Sequence, residues 1–329
     1  MSKFIGRRFN IGIAKEAVRG TALAAQYWMA KMELNIDDRI NFATDDSSVG
    51  VIEDGQSQDI TNKYAEGSIS GRITDASFGL ILAATLGSEG SVVAVETGVK
   101  DHVYSVGQSA QHPSLTFSVV EANSNSGSGF AYALGMIDQL AIDIEIGKYA
   151  MYKLDFRANA GAALSNTASY TNENPFKPQD CIFKTASSLS GLAGASAIQI
   201  KKANITIKKN IEDDVVLGTV TPIDRLNRQF SVEGSIELLY NDRTQIDTNM
   251  LGDLAVAMRF QFINTAVTIG ATSNPTLTMD LAKAKISEVA RKIDNNGIVS
   301  QTLKFKAFYS LSDAKMIAAT LRNTVSAVY

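Results

Sequence analysis

One short stretch of this sequence occurs twice, and it constrains the fold more than any other feature. Glu66–Ile69 reads Glu-Gly-Ser-Ile, and Glu233–Ile236 repeats the same four residues. Similar segments flank this match in the same order: Lys31–Ile36 with Lys202–Ile207, Pro113–Phe117 with Pro275–Met279, Leu154–Ala158 with Leu303–Ala307, and Leu164–Thr167 with Leu321–Thr324. The spacing between them drifts slowly, as expected of two domain copies with different loop lengths. Each match is short, so chance is the alternative; we interpret the chain as a diverged tandem duplication.

The length of the chain agrees with this interpretation. A chain of 329 residues is long enough for two domains of about 150 residues each. The predicted division is an N-terminal arm at residues 1–26, a first domain at 27–170, a linker at 171–196 and a second domain at 197–329. The arm shows little strand pattern. It is therefore expected to be either a loose chain end or an arm that lies on a neighbouring subunit.

Alternation of apolar and polar residues predicts antiparallel strands through most of both halves. Met32–Ile36 alternates in this way and reads as a half-buried strand. Gln139–Ile146 also alternates and is predicted to form a hairpin with Lys153–Ala158. Asp294–Gly297 predicts a turn between two strands of the second half.

One helix is predicted after the second strand of each half. Thr74 and Asp75 can cap a helix over Phe78–Leu86, which Gly87 would end. In the second half, Asp242 can cap a corresponding helix. Such a helix most simply covers one face or opening of a sheet sandwich. The predicted fold class is therefore mainly β, with two sandwich or barrel domains that each carry one flanking helix.

Two long acidic segments, at residues 37–63 and 208–229, occupy matching places in the two halves. Long loops in compact domains are usually functional or disordered. Because both halves keep one, we predict that these loops contact neighbouring subunits. Their carboxylates could be imagined as calcium ligands, but they lack the alternating pattern of an EF-hand loop, and a solvated loop is the simpler alternative. The candidate inter-subunit residues are Asp45, Asp46, Glu53, Asp54, Glu212, Asp213, Asp214 and Asp224.

The residues needed for catalysis are scarce. The chain has two histidines and one cysteine, and their spacing fits no zinc site. His102 is expected at a loop or strand end, and Cys181 is expected to be a small buried thiol. Ser124–Gly129 is rich in glycine but lacks the GxGxxG spacing of a dinucleotide-binding loop. The sequence thus predicts no enzyme, no cofactor and no metal site.

The charge and hydropathy of the chain exclude further classes. A net charge of −3 argues against a general nucleic-acid or anionic-membrane binder, which needs a basic face. No apolar run approaches the roughly 20 residues of a membrane span. A single cysteine cannot form an internal disulfide, which suits assembly in a reducing cytoplasm.

The N-terminal segment carries the most specific signal. Ile11–Ala22 contains Gly-Ile-Ala-Lys-Glu, two variable positions and then, after Arg19, Gly-Thr-Ala. This pattern resembles the opening of the tail tube proteins of long-tailed bacteriophages. The resemblance extends to the β-rich body, the helix after the second strand and the Leu-x-Asn segment near Tyr329. The segment Pro175–Ser190 matches nothing in that family.

The resemblance implies a β-sandwich whose hairpins and loops join neighbouring subunits into stacked rings around a hollow lumen. A two-copy member implies a trimer with six quasi-equivalent domains, although a hexamer of chains stays open. The implied partners are further copies of the chain, a tape measure protein, a tail terminator and distal tail or baseplate proteins. Double-stranded DNA would pass transiently through the lumen, and no membrane is involved. The implied location is the virion tail, after assembly in the host bacterial cytoplasm.

Two sets of residues acquire candidate roles from this resemblance. Asp143 and Glu145 are candidates for the lumen lining, because an acidic face would repel DNA phosphate; an ordinary solvated outer face is the alternative. The candidate contacts of the N-terminal arm are Arg7, Arg8, Lys15 and Arg19.

Two rival classes remain at this point. Another virion β-sandwich, such as a decoration, hub or baseplate protein, would share the composition but would not polymerise into long tubes. A carbohydrate-binding or carbohydrate-hydrolysing protein would need an exposed aromatic platform or a cleft with paired carboxylates. The only tryptophan, Trp28, is predicted to pack in the core instead.

Overall fold

Antiparallel strands form most of the chain in a computed structural model, which describes residues 3–121 and 128–329. The first half contains ten strands among its described residues, and one α-helix, α1, at Phe78–Leu86. The strands are β1 Asn10–Lys15, β2 Tyr27–Met29, β3 Lys31–Asp45, β4 Ser57–Arg72, β5 Gly87–Glu96, β6 Val99–Val106, β7 Leu115–Val120, β8 Ser128–Glu145, β9 Met151–Ala158 and β10 Ala162–Ser165.

The second half contains ten more strands and a π-helix at Gln245–Leu251. Three short 3-10 helices lie at Gly6–Arg8, Pro178–Asp180 and Ser190–Leu192. The strands are β11 Cys181–Ala186, β12 Ala197–Ile198, β13 Ile200–Lys208, β14 Glu212–Asp214, β15 Asp224–Leu226, β16 Ser231–Leu239, β17 Val256–Ile263, β18 Thr276–Lys292, β19 Ser300–Ala307 and β20 Ile317–Asn323.

Eight strands form a central sheet that contains strands of both halves. Its order is β3-β4-β9-β8-β13-β16-β19-β18, and every pairing is antiparallel. The first four strands and the last four are connected in the same way. The two groups meet where Gln139–Glu145 of β8 pairs with Lys202–Lys208 of β13. The sheet is therefore continuous from one half of the chain to the other.

Two further groups of strands extend from the long strands β8 and β18. The N-terminal part of β8 pairs with β7 and β10, and β7 pairs with β1, which pairs with β2. The N-terminal part of β18 pairs with β17 and β20, and β17 pairs with β11, which pairs with β12. Leu134 adopts φ of 53°, a conformation uncommon for a residue with a side chain, near the point where β8 passes from one set of partners to the other.

Alternation along several strands builds much of the core. β9, β13 and β20 bury every second side chain, as expected when one face of a sheet is covered, whereas β1 and β7 bury consecutive side chains. Ile69, Ile142 and Ile205 are each at most 1% exposed and belong to one hydrophobic cluster that contains residues of both halves. The Phe117 and Phe156 rings stack within it, with centroids 3.7 Å apart.

The repeated glycine has the same physical reason in both halves. A Cβ added to Gly67 would lie 2.3 Å from Cζ of Phe156, and one added to Gly234 would lie 2.6 Å from Cζ of Phe305. Each phenylalanine is the residue directly opposite its glycine on the next strand. The glycine thus makes room for a ring that covers the strand.

The predicted helix of the first half is confirmed, but its predicted cap is wrong. α1 spans Phe78–Leu86, all of its residues are buried, and Gly87 ends it with φ of 86°. Ser77 occupies the N-cap without a side-chain hydrogen bond to the backbone. The Thr74 and Ser77 hydroxyls both donate to Glu173, and Asp75 accepts hydrogen bonds from Asn174. Tertiary partners have taken the groups that could have capped the helix.

The helix of the second half differs in kind. It is a π-helix with no buried residue, and Asp242 accepts a hydrogen bond from the Thr244 backbone N–H just before it. Its sequence, Gln-Ile-Asp-Thr-Asn-Met-Leu, is mostly polar, whereas α1 is apolar on all sides. A helix that is apolar all round must be buried, and this difference explains why only α1 lies inside the core.

Four sequence expectations are wrong. Residues 37–63 form a hairpin of β3 and β4 rather than a loop, with pairing up to Asp45 and Ser57. The first 26 residues contain β1, whose Ile11 is fully buried. His102 is buried near the middle of β6 instead of lying at a loop or strand end. Cys181, expected in a linker, lies instead in β11, where its thiol is partly buried. The glycine-rich loop at Ser124–Gly129 lies largely outside the described residues.

The register of the similar segments is also refined. Glu66–Ile69 and Glu233–Ile236 occupy the same place in β4 and β16. By strand pairing, however, Ile36 corresponds to Ile205, because each lies opposite the repeated glycine. This equivalence is two residues away from the one suggested by sequence. Pro113–Phe117 leads into β7, whereas Pro275–Met279 opens β18, so these two segments are not equivalent.

Candidate functional site

The most exposed element is the hairpin of β3 and β4, which we call the long hairpin. Beyond Asp37 every residue of β3 is exposed, and so is the turn at residues 46–56. Phe42 and Ile60 are opposite each other on the two strands, and their side chains are 49% and 38% exposed. The tip holds Val49, Val51 and Ile52, which are also exposed. An exposed group of large apolar side chains is typical of a protein interaction surface.

The predicted acidic residues of the first segment lie at the tip of the long hairpin. Asp45, Asp46, Glu53 and Asp54 are all exposed there. Asp45 accepts hydrogen bonds from the backbone N–H and the hydroxyl of Ser47. These bonds lower the pKa of the Asp45 carboxyl, so it is ionised at neutral pH. The tip therefore presents a cluster of free carboxylates beside apolar side chains.

The predicted acidic residues of the second segment have a different environment. Asp213 lies 2.9 Å from Nε of the buried Arg225 and 3.5 Å from Nη1 of Arg157. Asp214 is half-buried in β14, and Glu212 forms an exposed ion pair with Arg228 at 3.1 Å. This segment is thus held mainly by contacts within the chain.

Arg225 explains why this segment is held so firmly. Its guanidinium donates to the carbonyls of Leu134 and Ala158 and to the side chain of Asn159. Burial lowers its pKa, although the charge of Asp213 opposes the shift. Removing one partner of a buried ion pair leaves an uncompensated charge and commonly costs about 3–5 kcal/mol. Arg225 therefore ties β15 to the first half.

The N-terminal residues fall into two groups. Arg7 and Arg8 are exposed in the first 3-10 helix. Arg19 forms an ion pair with Asp224 and donates to the carbonyl of His112. Lys15 donates to the carbonyl of Tyr329. Lys15 and Arg19 are therefore engaged within their own chain, whereas the side chains of Arg7 and Arg8 form no ion pair with residues 3–121 or 128–329.

Arg19 also sets the ionisation of its partner. Burial alone would raise the pKa of the Asp224 carboxyl. Hydrogen bonds from Arg19, the Arg225 backbone N–H and Gln111 outweigh that effect, so the pKa lies below its ordinary value. Asp224 is thus a charged anchor for the N-terminal segment.

Asp143 and Glu145 lie on the polar face of the central sheet, close to the junction of β8 and β13. Asp143 accepts a hydrogen bond from Asn204 at 2.7 Å. Glu145 lies 2.9 Å from Lys148 and 3.8 Å from Lys202, and the hydrogen bond from Lys148 lowers its pKa. Farther along this sheet the pairs Glu233 with Lys306 and Glu288 with Lys304 lie within 2.9 Å and 2.8 Å. The face therefore carries charges of both signs rather than being purely acidic, and the exposed Lys153 and Lys208 on it have no ion pair among the described residues.

Sequence reasoning missed the two edges of the central sheet. Along its described residues, β3 pairs with β4 alone, and the C-terminal part of β18 from Lys285 pairs with β19 alone. Both therefore present unpaired backbone groups, which can pair with another chain. The alternating pattern of β3 predicted a strand, but only the pairing shows that it is an edge.

The described residues bring no catalytic group together. His102 is buried against Glu89, with 2.5 Å between Nδ1 and Oε1, and its Nε2 donates to the carbonyl oxygen of Val325. Burial lowers the pKa of His112 to about 4 and raises the pKa of Cys181 to about 12. In residues 3–121 and 128–329 no cluster of metal-ligating side chains occurs. No helix in the same ranges has the length and hydropathy of a membrane span.

These features define a class of protein: a β-structural subunit with an exposed hairpin and two open sheet edges. A comparison with family profiles makes this specific, because the family described as phage tail tube protein matches residues 6–307. The chain belongs to that family, and it is a structural component of the bacteriophage tail. A search of curated proteins finds no match.

Proposed function

We propose that this chain polymerises into stacked rings that form the hollow tail tube through which the phage genome passes. The exposed long hairpin carries this proposal most directly. Its strands extend well beyond the rest of the sheet and expose Phe42 and Ile60 where no other part of the described chain covers them. Burial of such side chains stabilises an interface by about 25 cal/mol for each Å² removed from water. In a stack of rings, the neighbouring ring would cover these side chains.

We further propose that the chain is a tandem duplication and that three chains form each ring. Each half contributes four strands to the central sheet in the same connection order. Six such groups of four strands would then surround the lumen. Closure of a ring removes open sheet edges, which otherwise promote aggregation. The proposed domains are residues 27–170 and 197–329, although β1 and β11, from the segments before them, complete their sheets.

The polar face that carries Asp143 and Glu145 is our candidate for the lumen wall. Lys202, Lys306 and Lys304 lie beside carboxylates on this face, whereas the exposed Lys153 and Lys208 have no ion pair among the described residues. Each free Lys or Arg contact would add an attraction that the moving DNA must break. Changing Asp143 and Glu145 together to lysine should slow genome ejection in virions whose tubes assemble normally. The matched change to asparagine and glutamine should slow ejection less, and unchanged ejection in the lysine variant would exclude this face as the lumen wall.

The position of this chain in the phage tail implies its other binding partners. A tube of this kind would enclose a tape measure protein, end at a tail terminator and join distal tail or baseplate proteins. The exposed Arg7 and Arg8 and the acidic tip of the long hairpin are candidate contacts between chains. Assembly in the host bacterial cytoplasm is compatible with a single cysteine.

Negative-stain electron microscopy of the purified protein tests the main proposal. We expect tubes, or six-lobed rings with three chains in each layer. Changing Phe42 and Ile60 to serine should leave rings but abolish tubes. A suitable control is Val93→Ser, because Val93 is also 49% exposed but lies on the hairpin of β5 and β6, which pairs with β20 of its own chain. A chain that stays a single globule at high concentration would refute the proposal.

A further inference from the structure

The junction between the two halves is a sheet contact whose details are visible within one chain. Gln139–Glu145 of β8 pairs with Lys202–Lys208 of β13. Ile142, opposite Ile205, is fully buried, and so is Ile144, at 3% exposure, opposite Ala203. The contact therefore combines a backbone ladder with an apolar seam on the core side.

Irregularities in strand pairing identify the equivalent residues at the free edges. The pairing of β8 with β9 shifts between Ile137 and Gln139, and that of β18 with β19 shifts between Ile286 and Glu288. Such bulges mark register independently of side-chain similarity. Counting onward from these bulges, Ile293 takes the place of Ile144.

The same argument applies to the other strand of the junction. The pairing of β3 with β4 shifts between Lys31 and Glu33, and that of β13 with β16 shifts between Ile200 and Lys202. Leu34 therefore takes the place of Ala203. The free strands β18 and β3 are thus equivalent to the two strands that meet at the internal junction.

Several side chains that are buried at the junction have apolar equivalents at the edges, but Arg291 takes the place of Ile142. On the other strand Asp38 takes the place of Ile207. Ile293 is 68% exposed, whereas its equivalent Ile144 is buried. Leu34 and Ile36 are only half-buried, whereas their equivalents Ala203 and Ile205 are buried. Each free edge therefore presents part of the same apolar seam, interrupted by one charged side chain, and in this register Arg291 would lie diagonal to Asp38.

The cavity beside β3 supports this comparison. At the internal junction, a cavity of about 410 Å³ is lined by Pro178, Cys181 and Ile200, with Ile144 and Ile146 of β8 at one side. Beside β3, Gly6, Phe9 and Lys31 occupy the equivalent places, and the cavity there measures about 820 Å³. No side chain equivalent to Ile144 lines it. An adjoining groove is lined by Phe9, Leu34, Ile36, Phe130 and Tyr132, together with the charged Lys31, Asp38 and Glu121.

The charges of the two edges are complementary. β18 ends with Arg291 and Lys292, and β3 carries Asp37 and Asp38. In the register of the internal junction, Lys292 would lie opposite Asn35 and diagonal to Asp37, and Glu288 would lie opposite Arg39. Opposite charges across neighbouring strands stabilise the pairing by roughly 0.2–1 kcal/mol each. One contact would bring like charges together, because Asp294 would approach Glu33. In the turn after β18 the Asp294 carboxylate accepts a hydrogen bond from the Asn296 backbone N–H, and its carbonyl accepts one from Gly297.

We propose that the C-terminal part of β18 in one copy of this chain pairs antiparallel with β3 of a second copy, in the register of the β8–β13 junction. Lys292 then lies opposite Asn35, and Ile293 lies opposite Leu34 and fills the groove beside β3. The inference rests on the proposed tandem duplication and tube assembly, and it adds which strands meet and in which register.

Disulfide cross-linking tests the register. In a Cys181→Ser background, Asn35→Cys combined with Lys292→Cys places the two cysteines directly opposite each other, with Cα atoms about 4.5–5.5 Å apart. That distance lies within the range for a disulfide. In the matched control, Asn35→Cys with Ala290→Cys, the residues lie on the same face but about 7–8 Å apart. We expect disulfide-linked multimers on a non-reducing gel for the first pair and at least tenfold less for the control.

A second pair of variants tests the apolar seam. Ile293→Asp should lower ring assembly at least tenfold, measured by sedimentation. Ile298→Asp is the matched control, because Ile298 is 78% exposed in the same connection between β18 and β19 but lies outside the proposed pairing, and it should assemble like the unaltered chain. Tubes that form without the 35–292 bond, or that form the 35–290 bond equally well, would overturn this register and leave the proposed tube intact. A chain that neither cross-links nor assembles would overturn both.

Discussion

At the scale of residues, the repeated glycine makes a prediction that differs between the two halves. The three atoms nearest to a Cβ at Gly67 would belong to side chains, but one of these, Phe156, is fixed by its stacking on Phe117. A Cβ at Gly234 would in addition lie 2.2 Å from the backbone oxygen of Asn204. Overpacking of this kind costs about 1–3 kcal/mol. Gly67→Ala should therefore lower the free energy of unfolding by an amount in this range, and Gly234→Ala by more.

Urea unfolding followed by far-UV circular dichroism measures both changes. Gly90→Ala serves as the control, because Gly90 lies in β5 and a Cβ there would meet its nearest atom at an ordinary 3.6 Å. It should change the midpoint little. Equal effects of all three substitutions would mean that the phenylalanine rings do not determine the choice of glycine.

A second residue-scale prediction concerns Lys209, which is fully buried and donates to the carbonyl of Ala84 at the end of α1. Burial, together with the charge of Arg19, lowers its pKa to about 7. In the unfolded chain the pKa returns to about 10.4. Between these values the unfolded chain binds more protons than the folded one. The contribution of Lys209 to the free energy of unfolding therefore rises with pH, by at most about 1.4 kcal/mol per pH unit.

The measurement compares the unaltered chain with Lys209→Met by urea unfolding at pH 7, 8 and 9. The stability of the unaltered chain relative to the variant should increase across this range. Lys208→Met, at the exposed neighbouring position, should follow the unaltered chain at every pH. A difference that stays constant with pH would show that Lys209 keeps its proton when the chain folds.

At the scale of elements, the sequence predicted those features that depend on residues close together in the chain. Alternation predicted β8, β9 and their hairpin, because burial of one sheet face imposes a two-residue period. The sequence also identified α1 and Gly87 as its end. It did not predict the cap, because Thr74 and Ser77 bind Glu173, almost a hundred residues away in the chain.

The exposure of the candidate contact residues was also predicted correctly only where it does not depend on distant parts of the chain. The acidic residues at 45–54 were predicted to be available for contacts, and they are exposed at the tip of the long hairpin. Asp213 and Asp224 looked the same in sequence but form ion pairs with Arg225 and Arg19. Those partners are supplied by the tertiary fold, so composition alone could not separate the two segments. The free edges of β3 and β18 could not be predicted either, because strand pairing is also determined by the tertiary fold.

At the scale of the whole molecule, the two halves share too many contacts to behave as independent domains. β8 pairs with β13, and β6 of the first half pairs with β20 of the second. Arg225 donates to carbonyls of the first half. A single hydrophobic cluster contains side chains from both. Unfolding one half would expose all of these groups on the other, so we expect one cooperative transition.

The chain carries its own probe for each half. Trp28 is the only tryptophan and lies on β2, and Cys181 is the only cysteine and lies on β11. Below the concentration at which the chain assembles, Trp28 fluorescence and thiol labelling of Cys181 should report the same urea midpoint. Ile205→Ala at the junction should lower both midpoints together, since truncating a buried isoleucine costs about 2–5 kcal/mol. If only the Cys181 midpoint moved, the halves would be separate folding units, and the continuous sheet would not couple them.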